Sequence, residues 1–64
     1  MAISIKAARV NAGYTQQEVA DEVGKTKNTI ASYESYTTTP DILTAQAMAT
    51  MFKMSLDDII WTQD

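Results

Sequence analysis

The chain has 64 residues, 45% of them hydrophobic, and a formal net charge of -3 at pH 7. A chain of this length forms one small domain, which we expect to span residues 1–64. It contains no histidine and no cysteine, so disulfides, the usual nucleophile–base pairs and most transition-metal sites are excluded. We therefore expect a protein that is not an enzyme and that needs no metal, no other cofactor and no small-molecule ligand.

No apolar run approaches the roughly 18 residues that a membrane span requires, and the first residues lack the basic and apolar regions of a signal peptide. We expect a soluble protein of the cytoplasm without a membrane partner. The acidic balance argues against a nucleic-acid partner, for which a basic domain is usual. However, four basic residues balance four acidic ones in residues 1–35, and the acidic excess lies in residues 36–64.

The first two predicted helices are separated by a glycine. Residues 4–12 are rich in alanine and end at Gly13, the residue type that best tolerates the left-handed conformation just beyond a helix. Thr15 and Glu18 have the spacing of a capping box, in which each side chain bonds to the backbone amide of the other residue. A second helix should start there and end at Gly24.

A third and a fourth helix follow. Thr26 can cap a helix from residue 27 to about residue 34, and the irregular connection after it ends in Pro40. Either Asp41 or Thr39 can cap the fourth helix, which we expect to reach about residue 52. Its apolar stripe has helical spacing and consists of Ile42, Ala45, Met48, Ala49 and Phe52.

The last predicted element is a short fifth helix. Ser55 can cap it, and Asp57 and Asp58 would lie at the positive end of its dipole. It would include Ile59, Ile60 and Trp61. No segment alternates in polarity like a strand over more than a few residues, so the sequence predicts an all-α, compact bundle of five short helices.

The second and third helices form the most informative pair. A turn of about three residues joins them. Ala20 is small enough for a close helix crossing, and Gly24 lies in the turn. The apolar residues on the two faces that would meet are Val19, Val23, Ile30 and Tyr33. This pattern is typical of a DNA-binding helix-turn-helix.

The motifs in and around this pair resemble those of a known family. They are residues 13–20, Gly-Tyr-Thr-Gln-Gln-Glu-Val-Ala, followed by Val23-Gly24, Ile30, Tyr33-Glu34, Pro40 and Ser55-Leu56-Asp57. Residues 3–60 thus closely resemble the lambda repressor and Cro (XRE-like) family of bacterial and phage regulators. The resemblance implies a lambda repressor-like fold, a double-stranded DNA operator as partner, and a sequence-specific regulator such as a phage or prophage repressor.

The resemblance also implies which residues read the bases. The third helix would be the recognition helix, with its leading end in the major groove. The residues expected to contact bases are Lys27, Asn28, Thr29 and Ser32. Lysine can donate to guanine, asparagine can bond twice to adenine, and serine is permissive. On residue types alone, a polar helix start is more often simply solvated.

Backbone contacts are implied in the same way. The family places a glutamine, here Gln16, at the start of the second helix, where it bridges to the DNA backbone and braces the recognition helix. The other residues expected at phosphates are Lys25, Thr26, Tyr36, Thr37 and Thr38. Two family glycines are replaced, by Tyr36 and Lys53, and a left-handed residue with a Cβ costs about 1–2 kcal/mol. Either those helix ends have another geometry or the penalty is tolerated.

Two further expectations concern the assembly of the fold and of the protein. The family pairs an arginine of the first helix with a glutamate that closes the recognition helix, and Arg9 and Glu34 match these positions. A homodimer, at least on DNA, would read the half-sites of a palindromic operator. Its interface could be an apolar patch of Leu43, Ala47, Met51, Ile60 and Trp61, residues that could equally complete the core of the monomer.

Alternative functions remain open at this point. The acidic balance lends weight to a helical protein-interaction module with the same fold, such as an antirepressor. A chain of 64 residues has no room for a separate effector domain, which fits a Cro-like regulator, the DNA-binding part of a small antitoxin, or a fragment of a longer repressor.

Overall fold

The computed structural model describes residues 1–63 and contains four α-helices between two short strands in that range. Helix α1 spans Ile5–Ala12, α2 spans Gln16–Val23, α3 spans Lys27–Glu34 and α4 spans Ile42–Phe52. Strand β1 is Ile3–Ser4 and strand β2 is Ile59–Ile60, which follows a single 3-10 turn, Leu56–Asp58. The two strands pair in parallel.

The starts of the first three helices follow from local capping. The side chain of Ser4 accepts from a first-turn amide of α1, so Ser4 is the cap and not the first helical residue. Both bonds of the predicted capping box between Thr15 and Glu18 are present, at 3.1 and 2.8 Å. Thr26 caps α3. The predicted starts of α2 and α3 are confirmed, and α1 begins one residue later than predicted; each start depends only on residues within one turn.

The two later caps differ from the prediction in their bonds. Asp41, not Thr39, precedes α4, but its carboxylate accepts from the Thr44 hydroxyl at 2.6 Å and from no backbone amide of the helix. Ser55 precedes the 3-10 turn, and its hydroxyl donates to the carboxylate of Asp58 at 2.9 Å. Both helix starts are therefore held by bonds between side chains.

The prediction of a fifth helix is wrong after Asp58, where the 3-10 turn ends. Ile59 has a φ of -120° and a ψ of 134°, which is extended backbone. Ile59 and Ile60 pair with Ile3 and Ser4, and consecutive β-branched residues favour this conformation. The fold brings Ile3 and Ser4 beside this segment. Their backbone groups supply the hydrogen-bond partners of a strand, so the segment is extended and not helical.

The core lies between the four helices. Its largest fully buried side chains are Ile5, Val19, Ile30 and Met48. The predicted stripe of α4 is buried at Ala45, Met48, Ala49 and Phe52, but Ile42 is 62% exposed. Thr44 is buried instead, and its hydroxyl is satisfied by Asp41. Ile42 therefore lies outside the face of α4 that packs on the core.

Within residues 1–63, four residues have left-handed backbone. Gly13 has a φ of 86° and Gly24 a φ of 72°, as predicted for the ends of α1 and α2. Tyr36 and Lys53 have φ values of 62° and 58°. The two residues that replace family glycines thus keep the left-handed geometry, and the conformational penalty is tolerated.

Candidate nucleic-acid interface

Helices α2 and α3 pack against each other and are joined by the turn Gly24, Lys25 and Thr26. Ala20 of α2 and Ile30 of α3 are fully buried. The left-handed Gly24 reverses the chain, and the amide of Lys25 donates to the carbonyl of Ala20 at 2.9 Å. A small buried alanine and a bonded turn give the geometry of a helix-turn-helix.

Helix α3 has one buried and one accessible side. Ile30 is fully buried and Tyr33 is 6% exposed, so these two residues hold the helix on the core. The four residues predicted to contact bases lie on the accessible side, with Lys27 and Asn28 exposed and Thr29 and Ser32 half-buried. The leading end of α3 thus presents an ammonium, an amide and hydroxyl groups, which are the donors and acceptors that base edges require.

The residues predicted to contact phosphates flank α3 at both ends. Lys25 and Thr26 precede it and are exposed. Thr37 and Thr38 follow it and are also exposed. The amides of Thr37 and Thr38 both donate to the carbonyl of Ser32, at 3.0 and 3.4 Å. The Thr37 hydroxyl is hydrogen-bonded to the Ser35 hydroxyl at 2.9 Å, and Ser35 in turn donates to the carbonyl of Ser32.

Gln16 is the first residue of α2 and is half-buried. Its side-chain amide donates to Oε1 of Glu34 at 3.0 Å. A second N–H on the same nitrogen stays available, because a primary amide has two donors. Gln16 is therefore placed between the last residue of α3 and the N-terminal amides of α2.

A buried ion pair holds the far end of α3. The guanidinium of Arg9 donates to both carboxylate oxygens of Glu34, and a third nitrogen donates to the carbonyl of Tyr14 at 2.8 Å. Together with Gln16, these bonds connect α1, the start of α2 and the end of α3. No sequence pattern indicates the bond to the Tyr14 carbonyl, because every residue has a backbone acceptor.

The side chain of Tyr36, which was expected at a phosphate, is hydrogen-bonded inside the fold. Its hydroxyl donates to the carbonyl of Ile60 at 2.8 Å and accepts from the amide of Ile5 at 3.4 Å. Its own amide donates to the carbonyl of Tyr33. Because a phenol has a single proton, this arrangement leaves the Tyr36 side chain no donor for a phosphate, which weighs against the expected phosphate contact.

The apolar residues considered for a subunit interface fall into two groups. Leu43, Ala47 and Met51 line one shallow groove between α2 and α4, and Leu43 is 72% exposed. Ile60 and Trp61 do not line this groove. Ile60 lies in strand β2 and is 40% exposed, whereas Trp61 packs on the core and donates its indole N–H to the carbonyl of Leu56.

Within residues 1–63, no three histidine, cysteine, aspartate or glutamate residues are placed to hold a metal ion together. None of the helices in that range is long and apolar enough to cross a membrane.

The comparison with known proteins agrees with this geometry. A family model described as "Helix-turn-helix" matches residues 5–59, which is most of the chain. The chain belongs to the XRE/Cro-type helix-turn-helix family. Membership of this family assigns it to the DNA-binding regulators of transcription.

One curated relative of this helix-turn-helix protein matches over most of both chains. It is the "Uncharacterized HTH-type transcriptional regulator YgzD" of Bacillus subtilis (strain 168), which is 30% identical over 60 residues. The aligned residues cover 94% of the chain and 91% of the relative. No solved structure gives a significant match.

Proposed function

We propose that this helix-turn-helix protein is a sequence-specific regulator that inserts the leading end of α3 into the major groove of a DNA operator. The observation that carries the proposal is the two-sided character of α3. Lys27 and Asn28 are exposed at its start, while Ile30 and Tyr33 anchor its other side in the core. A rigidly held helix with free polar side chains at its N-terminal end is what direct readout of bases requires.

Two exposed and two half-buried residues of α3 are proposed to contact bases. Lys27 donates to guanine, and Asn28 forms two hydrogen bonds with adenine. Thr29 and Ser32 are less accessible, and they contact a base edge or a thymine methyl group at closer range. One good pair between a side chain and a base discriminates against the wrong base by about 1–3 kcal/mol.

The proposed phosphate contacts are Gln16, Lys25, Thr26, Thr37 and Thr38, on both sides of α3. Only Lys25 among them carries a positive charge. One lysine at a phosphate in each subunit of a dimer would give a slope of log affinity against log salt of about -2. This modest slope is expected for a chain with a net charge of -3.

We propose further that the protein binds as a homodimer to a palindromic operator, as a Cro-like phage or prophage repressor would. The groove that contains Leu43, Ala47 and Met51 supports this, because it exposes apolar surface beside polar groups. Glu22 and Lys53 also line it, so a two-fold related copy can place opposite charges against each other. A symmetric dimer would read half-sites about one helical turn apart.

Selection from a pool of random duplexes at two salt concentrations tests the proposal. A regulator of this kind enriches one palindromic sequence, and its affinity falls as salt rises. A protein-interaction module would enrich no sequence. Absence of enrichment from the full chain at the lower salt concentration would therefore reject the proposed function.

The subunit interface is tested with Leu43→Glu, which places a charge in the groove. We expect this variant to sediment as a monomer and to lose binding to the palindrome, while a single half-site is bound as before. Val10→Glu is the matched control, because Val10 is 54% exposed on α1 and does not line the groove. Equal behaviour of the two variants would place the interface elsewhere.

A further inference from the structure

The hydroxyl of Tyr36 joins parts of the fold that are far apart in the chain. It donates to the carbonyl of Ile60 in β2 at 2.8 Å. It also accepts, at 3.4 Å, from the amide of Ile5, the first residue of α1. This one oxygen therefore connects the segment after α3 with strand β2 and with the residue that directly follows β1.

The backbone at Tyr36 is strained, and the contacts of its side chain offset that strain. Its φ of 62° lies in the left-handed region, which glycine adopts without strain and a tyrosine does not. The ring packs on the core, and the hydroxyl makes the two bonds just described. A glycine would relieve the strain but remove the ring and both bonds.

The residues that follow Tyr36 are those proposed to bind phosphates. The amides of Thr37 and Thr38 donate to the carbonyl of Ser32 in α3. The segment is thus held on one side by α3 and on the other by the bonds of Tyr36 to the strand pair. Because this segment is already ordered in the free protein, less conformational entropy is lost when DNA binds, which favours affinity.

We infer that Tyr36 is a positioning residue for DNA binding, whose hydroxyl fixes the segment after the recognition helix against strand β2 and makes operator affinity depend on that strand being in place. The inference rests on the proposed function. Tyr36 itself makes no contact with the DNA in this arrangement, because its proton is donated to Ile60.

The test compares Tyr36→Phe with Tyr14→Phe in the full chain. Tyr36→Phe keeps the ring and removes only the hydroxyl. Tyr14→Phe is the control, because the ring centroids of Tyr14 and Phe52 lie 6.2 Å apart and the Tyr14 hydroxyl makes no hydrogen bond within residues 1–63. Since Tyr14 also lines the α2–α4 groove, both variants are compared on a single half-site as well as on the palindrome. Both are measured at low temperature, where circular dichroism shows each variant to be folded.

Two quantities are measured for each variant. The first is the affinity for the selected operator, which we expect Tyr36→Phe to weaken about two- to tenfold, the range for loss of a single hydrogen bond. The second is recorded by NMR on the free protein, as hydrogen exchange at the Ile5 amide and the chemical shift of the Trp61 amide nitrogen. Both NMR signals should change in Tyr36→Phe and stay unchanged in Tyr14→Phe.

The outcomes separate the possible roles. Weaker binding with unchanged NMR signals would mean that the hydroxyl contacts DNA directly, which overturns the inference. Changed NMR signals with unchanged affinity would show a bond that stabilises the fold without positioning the segment, which also overturns it. Failure of the unsubstituted chain to bind any selected duplex would be a failure of the proposed function, recognisable before either variant is measured.

Discussion

Arg9 and Glu34 are 25 residues apart and form an ion pair with two parallel hydrogen bonds, from Nε to Oε2 and from Nη2 to Oε1. Their side chains are 12% and 5% exposed. Gln16 donates to the same carboxylate. A bidentate pair in this position holds the orientation of α3 as well as contributing energy, since it ties the end of the recognition helix to α1 and α2.

We expect Glu34→Gln to lower the free energy of unfolding by about 3–5 kcal/mol, because it leaves the guanidinium of Arg9 partly buried without its charge partner. A domain of this size has a total stability of roughly 3–10 kcal/mol, so the variant should be close to unfolding. Urea denaturation measures the change. Asp57→Asn is the control at an exposed carboxylate outside the α2–α4 groove, and a similar small loss in both variants would show that the pair contributes little.

Asn28→Ala should change the base preference at one operator position by about 1–3 kcal/mol, because the two bonds of an amide to adenine are lost. Affinities for operators with single base substitutions measure this. Asn11→Ala is the matched control, since Asn11 is an exposed asparagine of α1. Unchanged preference at every position in Asn28→Ala would remove this residue from the base contacts.

Lys25→Ala should weaken binding to all sequences by a similar factor and reduce the magnitude of the salt slope by about 1 for each half-site bound. The reason is that a phosphate contact releases counterions without reading the base. Titrations at several salt concentrations measure both effects. Lys25→Arg is the control, because it keeps the charge and should behave like the unsubstituted chain. A loss of affinity in Lys25→Ala that differs between DNA sequences would contradict the phosphate role.

Lys53→Gly should raise the free energy of unfolding by about 0.5–1 kcal/mol. Lys53 is exposed and has a φ of 58°, so glycine relieves left-handed strain while the greater freedom of its unfolded chain offsets part of the gain. Lys53→Ala is the control, because it removes the side chain but keeps the Cβ. If the two variants are equally stable, strain at this helix end is negligible.

The stability of the protein should also depend on pH through Asp41. The hydrogen bond from the Thr44 hydroxyl lowers the pKa of the Asp41 carboxyl below its usual value of 3.8. A lowered pKa in the folded state means a contribution that is complete at neutral pH and is lost as the pH falls through that pKa.

Unfolding of Asp41→Asn between about pH 7 and pH 2 tests this linkage. The variant should be less stable than the unsubstituted chain at neutral pH, and the difference should shrink below pH 3.8, the usual value for this carboxyl. Thr44→Val removes the donor of the hydrogen bond. In a chain that carries Thr44→Val, the loss of stability that Asp41→Asn causes at neutral pH should therefore be smaller. A constant difference over the whole range would contradict a stabilising role for the ionised carboxylate.

The sequence alone was sufficient for the first three helices and for the family. Their ends depend on contacts within one turn, such as the capping box of Thr15 and Glu18 and the glycines at positions 13 and 24. Burial of Ala20 and exposure of Lys27 also follow from local spacing within a helix pair. For the proposed DNA contacts, the sequence supplied residue types, and their role stays a prediction.

Only the tertiary structure decided what happens near the C-terminal end and on α4. Ile59 and Ile60 become a strand because Ile3 and Ser4 lie beside them, and no local pattern encodes a partner from the opposite end of the chain. Ile42 is exposed and Thr44 buried because packing against the other helices sets the rotation of α4. The hydroxyl of Tyr36 reaches its partners for the same reason: contacts between distant segments exist only once the chain has folded.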